Sequence, residues 1–245
     1  MAQGSLRPQK TAMLVAQRIV ADINRRGNVV GDRLPPEKAM LDAYEVGRGT
    51  LRESLRYLEL QGVLSLKPGP GGGPVVQEPD ATSLATSLTL LLQFEHAPFR
   101  TLAQARAGLE PMVARLAAEH VNAEQLAGLK ASVDTMREHL DDQNVFLAED
   151  RRFHELVAHA SGNAMFRYLI DALLWMLDSS AIGLDYPEVR RIAVHKAHLR
   201  IYQALAEHSP DTAAAAMAKH IDEYGRYAER RHPEALAAPI VWTTV

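Results

Sequence analysis

The sequence of 245 residues contains no cysteine, which excludes disulfide bridges and thiolate chemistry and is compatible with a reducing compartment. No apolar run approaches the roughly 18 residues that a membrane-spanning helix needs. The first residues are polar and lack the apolar core of a secretory signal. We therefore expect a cytoplasmic protein with no membrane partner.

Aromatic residues are also scarce, at 6% of the chain, whereas 47% of all residues are hydrophobic. Alanine and leucine dominate the apolar positions, and both favour helices. The chain is long enough for two domains, each with its own core. These features predict a mainly α protein.

The net charge is only −3, but it is unevenly distributed. Residues 1–77 hold 11 Lys and Arg against 7 Asp and Glu, a net of +4, and residues 78–245 hold 16 against 23, a net of −7. A basic N-terminal part on an acidic remainder suits a protein that contacts phosphates with one domain only.

Residues 46–62 predict a helix with an arginine stripe. Arg48, Arg52 and Arg56 recur at every fourth position, while leucines at 51, 55 and 58 occupy another face. Gly62 favours a left-handed end for this helix. The stripe suits DNA, but taken alone such a stripe is usually a solvated helix face.

A hairpin follows this helix, predicted by the apolar runs 63–66 and 75–76 around a tip rich in Gly and Pro. Two further helices are predicted before it, at 11–26 and 36–44. The pattern is that of a winged helix-turn-helix, with three helices plus a two-stranded wing, whose last helix enters the DNA major groove.

Gly71 and Gly72 lie at the predicted wing tip, within residues 67–74. Glycine-rich loops also hold nucleotide phosphates, but this one lacks the lysine and the following helix of a P-loop. We therefore expect a flexible tip that lies along the minor groove or the backbone of DNA.

The rest of the chain predicts an all-α bundle of about seven helices joined by short loops. The expected organisation is a flexible arm (1–10), the DNA-binding domain (11–78), a linker (79–82), the helical domain (83–232) and an irregular tail (233–245). The expected helices of the bundle are 83–94, 101–120, 123–140, 145–160, 164–180, 187–208 and 210–231.

Asp150, His154, His198 and His220 form the most informative polar set of the helical domain. Asp150 and His154 are four residues apart and share a helix face, while His198 and His220 lie on inward faces of two further helices. Three nitrogens and one oxygen suit Zn, Ni, Mn or Fe. The alternative is that all four are hydrogen-bonded core residues, and periodicity alone does not reject His195 in place of His198.

The N-terminal motifs resemble the DNA-binding domain of the GntR family of bacterial transcription regulators. The matching stretches are Gly31-Asp-Arg-Leu-Pro-Pro-Glu-Lys38, Val46-Gly-Arg-Gly-Thr-Leu-Arg-Glu53 and Tyr57-Leu-Glu-Leu-Gln-Gly-Val63. Pro36 and Gly47 depart from the family pattern, which usually has serine caps there. The resemblance implies base contacts by Arg48 and Arg52, with Thr50 and Lys38 on the DNA backbone.

The C-terminal region resembles the FCD ligand-binding domain of the FadR subfamily of GntR regulators. The matching pieces are Arg106-Ala-Gly-Leu-Glu-Pro111, Asp150-Arg-Arg-Phe-His154, Ala160-Ser-Gly-Asn163, His198-Leu-Arg-Ile-Tyr-Gln-Ala-Leu205 and His220. The resemblance implies a divalent metal on Asp150, His154, His198 and His220, with zinc preferred, and favours His198 over His195.

Two further residues have a role implied by this resemblance. Arg106 is expected to hold an organic-acid effector, and its alternative is a salt bridge to Glu110, four residues on. Asn163 either lines the same pocket or caps the next helix.

We therefore expect a DNA-binding transcription regulator, a repressor, that binds a pseudo-palindromic operator as a homodimer and responds to a small carboxylate. One alternative is a regulator for which the metal ion itself is the signal. The other is a metal-dependent hydrolase, since such a centre activates water; this alternative leaves the basic N-terminal part unexplained.

Overall fold

The structure is a computed structural model that describes residues 6–69, 71–179 and 186–242. The chain divides into two compact units, one up to Ser83 and the other from Leu84. Each unit has its own buried apolar residues.

The N-terminal unit is the predicted winged helix-turn-helix. It contains α1 (Leu6–Arg26), α2 (Glu37–Tyr44), α3 (Arg48–Leu60) and an antiparallel sheet of β1 (Leu64–Lys67) and β2 (Gly73–Val76). Their apolar faces share one core, in which Ile19, Leu51 and Leu64 are almost completely buried. The first helix begins at Leu6, so half of the predicted flexible arm is helical.

The turn between α2 and α3 is tight and lacks side-chain caps. Glu45 ends α2 in a left-handed conformation with φ 55°, and its amide donates to the carbonyl oxygen of Leu41. Pro36 and Gly47 precede the two helices, and neither makes a capping hydrogen bond with its side chain. Glycine in place of a serine cap costs only a few tenths of a kcal/mol, so both departures are tolerated.

The recognition helix α3 is fixed to α1 by a buried hydroxyl. The Oγ of Ser54 donates to the carbonyl oxygen of Ala12 at 2.8 Å, and it lies at the same distance from the carbonyl oxygen of Thr50. Leu51 and Leu55 pack into the same core. The arginine face of α3 is thereby held outward.

The C-terminal part forms a helical bundle around α5. Its helices are α4 (Thr82–Phe94), α5 (Arg100–His120), α6 (Ala123–Glu138), α7 (Gln143–Ala160), α8 (Ala164–Ser179), α9 (Glu188–Ala206), α10 (Pro210–Arg231) and α11 (Pro233–Ala237). Helix α5 packs against α7, α8, α9 and α10, and α6 packs against α7 and α9. Seven of these helices match the predicted set; the expected last residue of α8, Ser180, lies outside the described residues. None of the described helices is long and apolar enough to span a membrane.

The tail differs from the predicted irregular segment because part of it is the short helix α11. Pro233 stands in its first turn, where a missing N–H is harmless. Leu236 is buried, and the amide of Phe99 donates to the carbonyl oxygen of Ala238 at 3.0 Å. The tail is therefore packed against the start of α5.

Candidate metal centre and nucleic-acid interface

The arginines of α3 lie on the face opposite its buried leucines. Arg48, Arg52 and Arg56 are all exposed, whereas Leu51 and Leu55 are buried. An exposed cationic helix face at the end of a helix-turn-helix is suited to phosphates and to base edges in the major groove.

Arg52 already has a partner on α2. Its Nε lies 3.3 Å from Oε1 of Glu37, and its side chain is 68% exposed. Exposed pairs of this kind contribute about 0–1 kcal/mol, so breaking the pair with Glu37 costs little and the predicted base contact of Arg52 stays a prediction. Lys38 is exposed on α2 and Thr50 is half-buried in the first turn of α3.

The wing tip needs its glycines for conformational reasons. Gly71 has φ 77°, and a Cβ at Gly72 would collide with the carbonyl oxygens of residues 67–69. The Nη1 of Arg33 donates to the carbonyl oxygen of Gly71. Both glycines are exposed, and their contact with DNA stays a prediction.

Asp150, His154, His198 and His220 meet in the interior of the bundle. Helix α7 carries the first two, α9 the third and α10 the fourth, and their ligand atoms all lie within 4.8 Å of one another. The Nε2 of His220 lies 3.1 Å from Nε2 of His198 and 3.2 Å from Nε2 of His154. The Nε2 of His198 lies 3.5 Å from Oδ1 of Asp150. We call this set the metal-type cluster.

Burial favours the neutral form of two imidazoles of the cluster. It lowers the pKa of His198 and of His220 well below the usual value, and the neighbouring positive charges lower both further. Burial also raises the pKa of Asp150, against the opposing charges of His154 and Arg106. Neutral imidazole nitrogens and a carboxylate are the donors that a divalent ion requires.

The ring orientations direct Nε2 into the cluster. Nδ1 of His198 lies 3.3 Å from Sδ of Met136, and the ring stacks on Phe153 with centroids 4.1 Å apart. Nδ1 of His154 lies 2.5 Å from Oε2 of Glu110. A carboxylate or similar acceptor on one ring nitrogen fixes the tautomer that leaves the other nitrogen as a ligand.

Glu110 is the residue that sequence reasoning gave too little weight. It is buried on α5, ion-paired to Nε of Arg106 through one oxygen and in contact with His154 through the other. The salt bridge weighed as an alternative for Arg106 is therefore formed. The predicted contact of Arg106 with an effector stays a prediction.

The remaining candidates are also placed. Oδ1 of Asn163 accepts from the amide of Met165 at 3.0 Å, which is the capping alternative. His195 lies outside the cluster: it is half-buried, and burial and the charge of Arg137 lower its pKa. Periodicity alone could not separate it from His198.

These two units together define a DNA-binding transcription regulator. The chain belongs to the GntR family: residues 11–72 match the bacterial regulatory proteins of the gntR family, and residues 101–223 match the FCD domain. The predicted resemblance to GntR regulators with an FCD domain is thus confirmed. Proteins of this kind regulate transcription and are not enzymes.

Individual relatives agree with this assignment. The chain is 28% identical over 220 residues to the HTH-type transcriptional repressor NanR of Edwardsiella tarda (strain FL6-60), covering 87% of this chain and 84% of that protein. It is 27% identical to NanR of Salmonella newport (strain SL254) over the same shares. The solved structure of Streptococcus agalactiae GntR superposes with a TM-score of 0.68 at 27% identity, covering 88% of this chain and 99% of that one.

Proposed function

We propose that this regulator is a repressor whose operator binding is controlled by a small organic acid bound beside a divalent metal ion. The supporting observation is the metal-type cluster, in which three imidazoles and one carboxylate from three helices converge within 4.8 Å. The three imidazoles are at most 5% exposed. Burying three imidazoles beside a carboxylate without a ligand would be costly.

Asp150, His154, His198 and His220 would hold the ion, and Zn is the best match for three nitrogens and one oxygen, with Ni, Mn or Fe as alternatives. When bound, the ion would act as a Lewis acid that attracts oxygen ligands. Glu110 holds the proton on Nδ1 of His154. Asp150 is the most accessible member, with 21% of its side chain exposed. A ligand would therefore approach the site from the side of Asp150.

The proposed operator contacts follow the geometry of the winged unit. Arg48 and Arg52 read base edges, Lys38 and Thr50 bind phosphates, and the backbone of Gly71 and Gly72 lies along the DNA. The exposure of the arginine face of α3 supports this assignment. Each bidentate arginine–guanine contact contributes about 1–3 kcal/mol to discrimination.

We further propose that the protein is a homodimer on a pseudo-palindromic operator, because one winged unit reads only a half-site. Helix α4 is the proposed contribution of the C-terminal part to the dimer. Leu91 and Phe94 are 64% and 84% exposed. Within the described residues, α4 packs extensively against no other helix or strand, and a second copy of α4 would cover this surface.

Control by the effector requires that the ligand favours one conformation of the helical unit. The cluster joins α7, α9 and α10, so a ligand that binds at the cluster would act on three helices together. A ligand that binds one arrangement of these helices more tightly shifts the operator affinity by at most the difference between its binding free energies for the two arrangements. Operator DNA then changes the affinity for the ligand by the same factor.

A regulator for which the ion itself is the signal is the second candidate. It is favoured by the salt bridge of Arg106 with Glu110, since this guanidinium already has a counter-ion and needs none from an effector. In that case, metal alone changes operator affinity and organic acids have no effect.

Fluorescence anisotropy distinguishes the two candidates. Operator DNA is first selected by the full-length protein from a random-sequence pool. Its affinity is then measured for chelated protein, for zinc-loaded protein, and for zinc-loaded protein with a panel of carboxylates. We expect release only by a carboxylate and only from the zinc-loaded protein. Release or binding that follows zinc alone supports the second candidate, and no dependence on either contradicts both.

A further inference from the structure

Arg190 is half-buried in the helical unit, and two of its donor atoms have no acceptor among the described residues. The Nε and Nη2 atoms of Arg190 in α9 are buried, and neither has a hydrogen-bond partner among the described residues. These two N–H groups form the side-on edge of the guanidinium, which matches the two oxygens of a carboxylate. Unused buried donors are destabilising, so a ligand that supplies the acceptors is bound favourably.

Other buried arginines of this unit are satisfied internally. Arg191, the next residue, donates from Nε to the carbonyl oxygen of Leu140 and from Nη1 to that of Tyr186. Arg106 is paired with Glu110. Arg190 thus differs from both in keeping its bidentate edge unused.

Arg190 lies on the cluster side of α9. It precedes His198 by eight residues, which places both on one face, separated by roughly 12 Å along the helix axis. Its guanidinium carbon is 4.7 Å from the ring centroid of Tyr227, and Tyr227 follows His220 on α10 by two turns. The ring of Tyr224 lies between these levels on α10. Helices α9 and α10 therefore carry the cluster ligands His198 and His220 at one height along the helices. About two turns away, they carry Arg190 and the ring of Tyr227.

The charges around the cluster also favour an anion. The carboxylates of Asp150 and Glu110 offset the guanidinium groups of Arg106 and Arg190, so the charge of a divalent ion would stay uncompensated. An anion placed between the ion and Arg190 would offset the charge of the ion and accept from the two unused donors of Arg190.

We propose that Arg190 is the anion-binding residue of the effector site, holding a carboxylate of an organic acid whose second oxygen-bearing group reaches the metal-type cluster. This assignment rests on the proposed function and deepens it. It moves the main carboxylate contact from Arg106, which is paired with Glu110, to Arg190, whose Nε and Nη2 have no acceptor among the described residues. Two separate binding points, the cluster and the Arg190 edge, select acids with a second carboxylate or hydroxyl groups over simple short acids.

The first test uses zinc-loaded full-length protein and the thermal shift caused by acetate, succinate, citrate and gluconate. The variants are Arg190→Met, Arg190→Lys, which keeps the charge but loses the edge, and Arg200→Met, which removes an exposed charge from the same helix. We expect a probe with two oxygen-bearing groups to raise the Tm of the wild type by several degrees and acetate to have no effect. The shift should vanish in Arg190→Met, require at least tenfold more ligand in Arg190→Lys, and persist in Arg200→Met.

The outcomes separate this inference from the proposed function. If a carboxylate stabilises Arg190→Met as much as the wild type, the role of Arg190 is refuted while the acid-responsive regulator stands. If no probe shifts the wild type, both are refuted for carboxylates.

A second measurement does not depend on the ligand. Because Nε and Nη2 of Arg190 have no acceptor among the described residues, Arg190→Met should leave the Tm of the ligand-free protein unchanged or higher. Arg191→Met, which removes two hydrogen bonds to carbonyl oxygens, should lower it by several degrees. A comparable loss in Arg190→Met would show an internal partner and overturn the proposal.

Discussion

Glu110→Gln is the substitution that separates the two tasks of the buried carboxylate. Glu110 is 2% exposed and lies between Nε of Arg106 and Nδ1 of His154. Burial alone raises its pKa, but the charges of Arg106 and His154 outweigh burial and hold the pKa of Glu110 well below its usual range. The group is therefore ionised, and replacing it with glutamine removes a full negative charge at nearly constant volume.

Two different losses are expected. The guanidinium of Arg106 is left buried without a counter-ion, and breaking a buried pair from one side costs about 3–5 kcal/mol of unfolding free energy. His154 loses the carboxylate that orients its ring, and losses of this kind reduce metal affinity by about 10–100-fold. The amide oxygen of glutamine still accepts from Nδ1, which favours the lower end of that range.

The assays measure the two losses independently. Urea unfolding of chelated protein gives stability, and competition with a chromophoric chelator gives zinc affinity. The double variant Arg106→Met, Glu110→Leu removes both charges, so it should recover most of the stability. It should not recover the zinc affinity, because His154 still lacks its acceptor.

Clear results would refute this reasoning. Zinc affinity within twofold of the wild type in Glu110→Gln would mean that Glu110 does not orient His154. Unchanged stability in the same variant would mean that the charge of Arg106 is compensated elsewhere.

Three further predictions concern DNA, pH and assembly. Arg52→Ala should weaken operator binding by about 1–3 kcal/mol per lost base contact. It should not lower the Tm, because the side chain is 68% exposed. Anisotropy with specific and random DNA measures this, and an unchanged preference for the operator would contradict it. Chelated protein should lose stability as the pH falls below 6.5, the usual pKa of histidine. The folded state lowers the pKa values of His198 and His220, so the unfolded chain takes up protons first. Urea midpoints that stay constant from pH 7 to 5 would exclude this. Leu91→Glu with Phe94→Glu should give a monomer in light scattering if α4 pairs with a second copy, and a persistent dimer would place the interface elsewhere.

Much of the fold was predictable because local patterns determine it. The leucines of α3 recur with helical spacing, and Gly62, at φ 71°, ends the turn after that helix as predicted. Helix bounds shifted by only one or two residues in most of the bundle, since the apolar periodicity of each helix is continuous. The short helix α11 was missed because two prolines indicated an irregular tail, and proline in a first turn is compatible with a helix.

The candidate site was predictable only where its residues are close in sequence or share a helix face. Asp150 and His154 are one turn apart, so their common direction follows from the sequence. The contact of Glu110 with His154 joins α5 to α7, and only packing in three dimensions decides it. No local sequence pattern predicts that Nε and Nη2 of Arg190 lack acceptors among the described residues, because this depends on which groups of the neighbouring helices pack around them.

Zinc titration calorimetry of chelated full-length protein tests the central claim most directly. The metal-type cluster predicts one zinc ion per chain for the wild type and for His195→Ala, because His195 lies outside the cluster. It predicts no comparable binding for His198→Ala, whose Nε2 lies 3.1 Å from that of His220. Tight binding retained in His198→Ala, or lost in His195→Ala, would contradict the account.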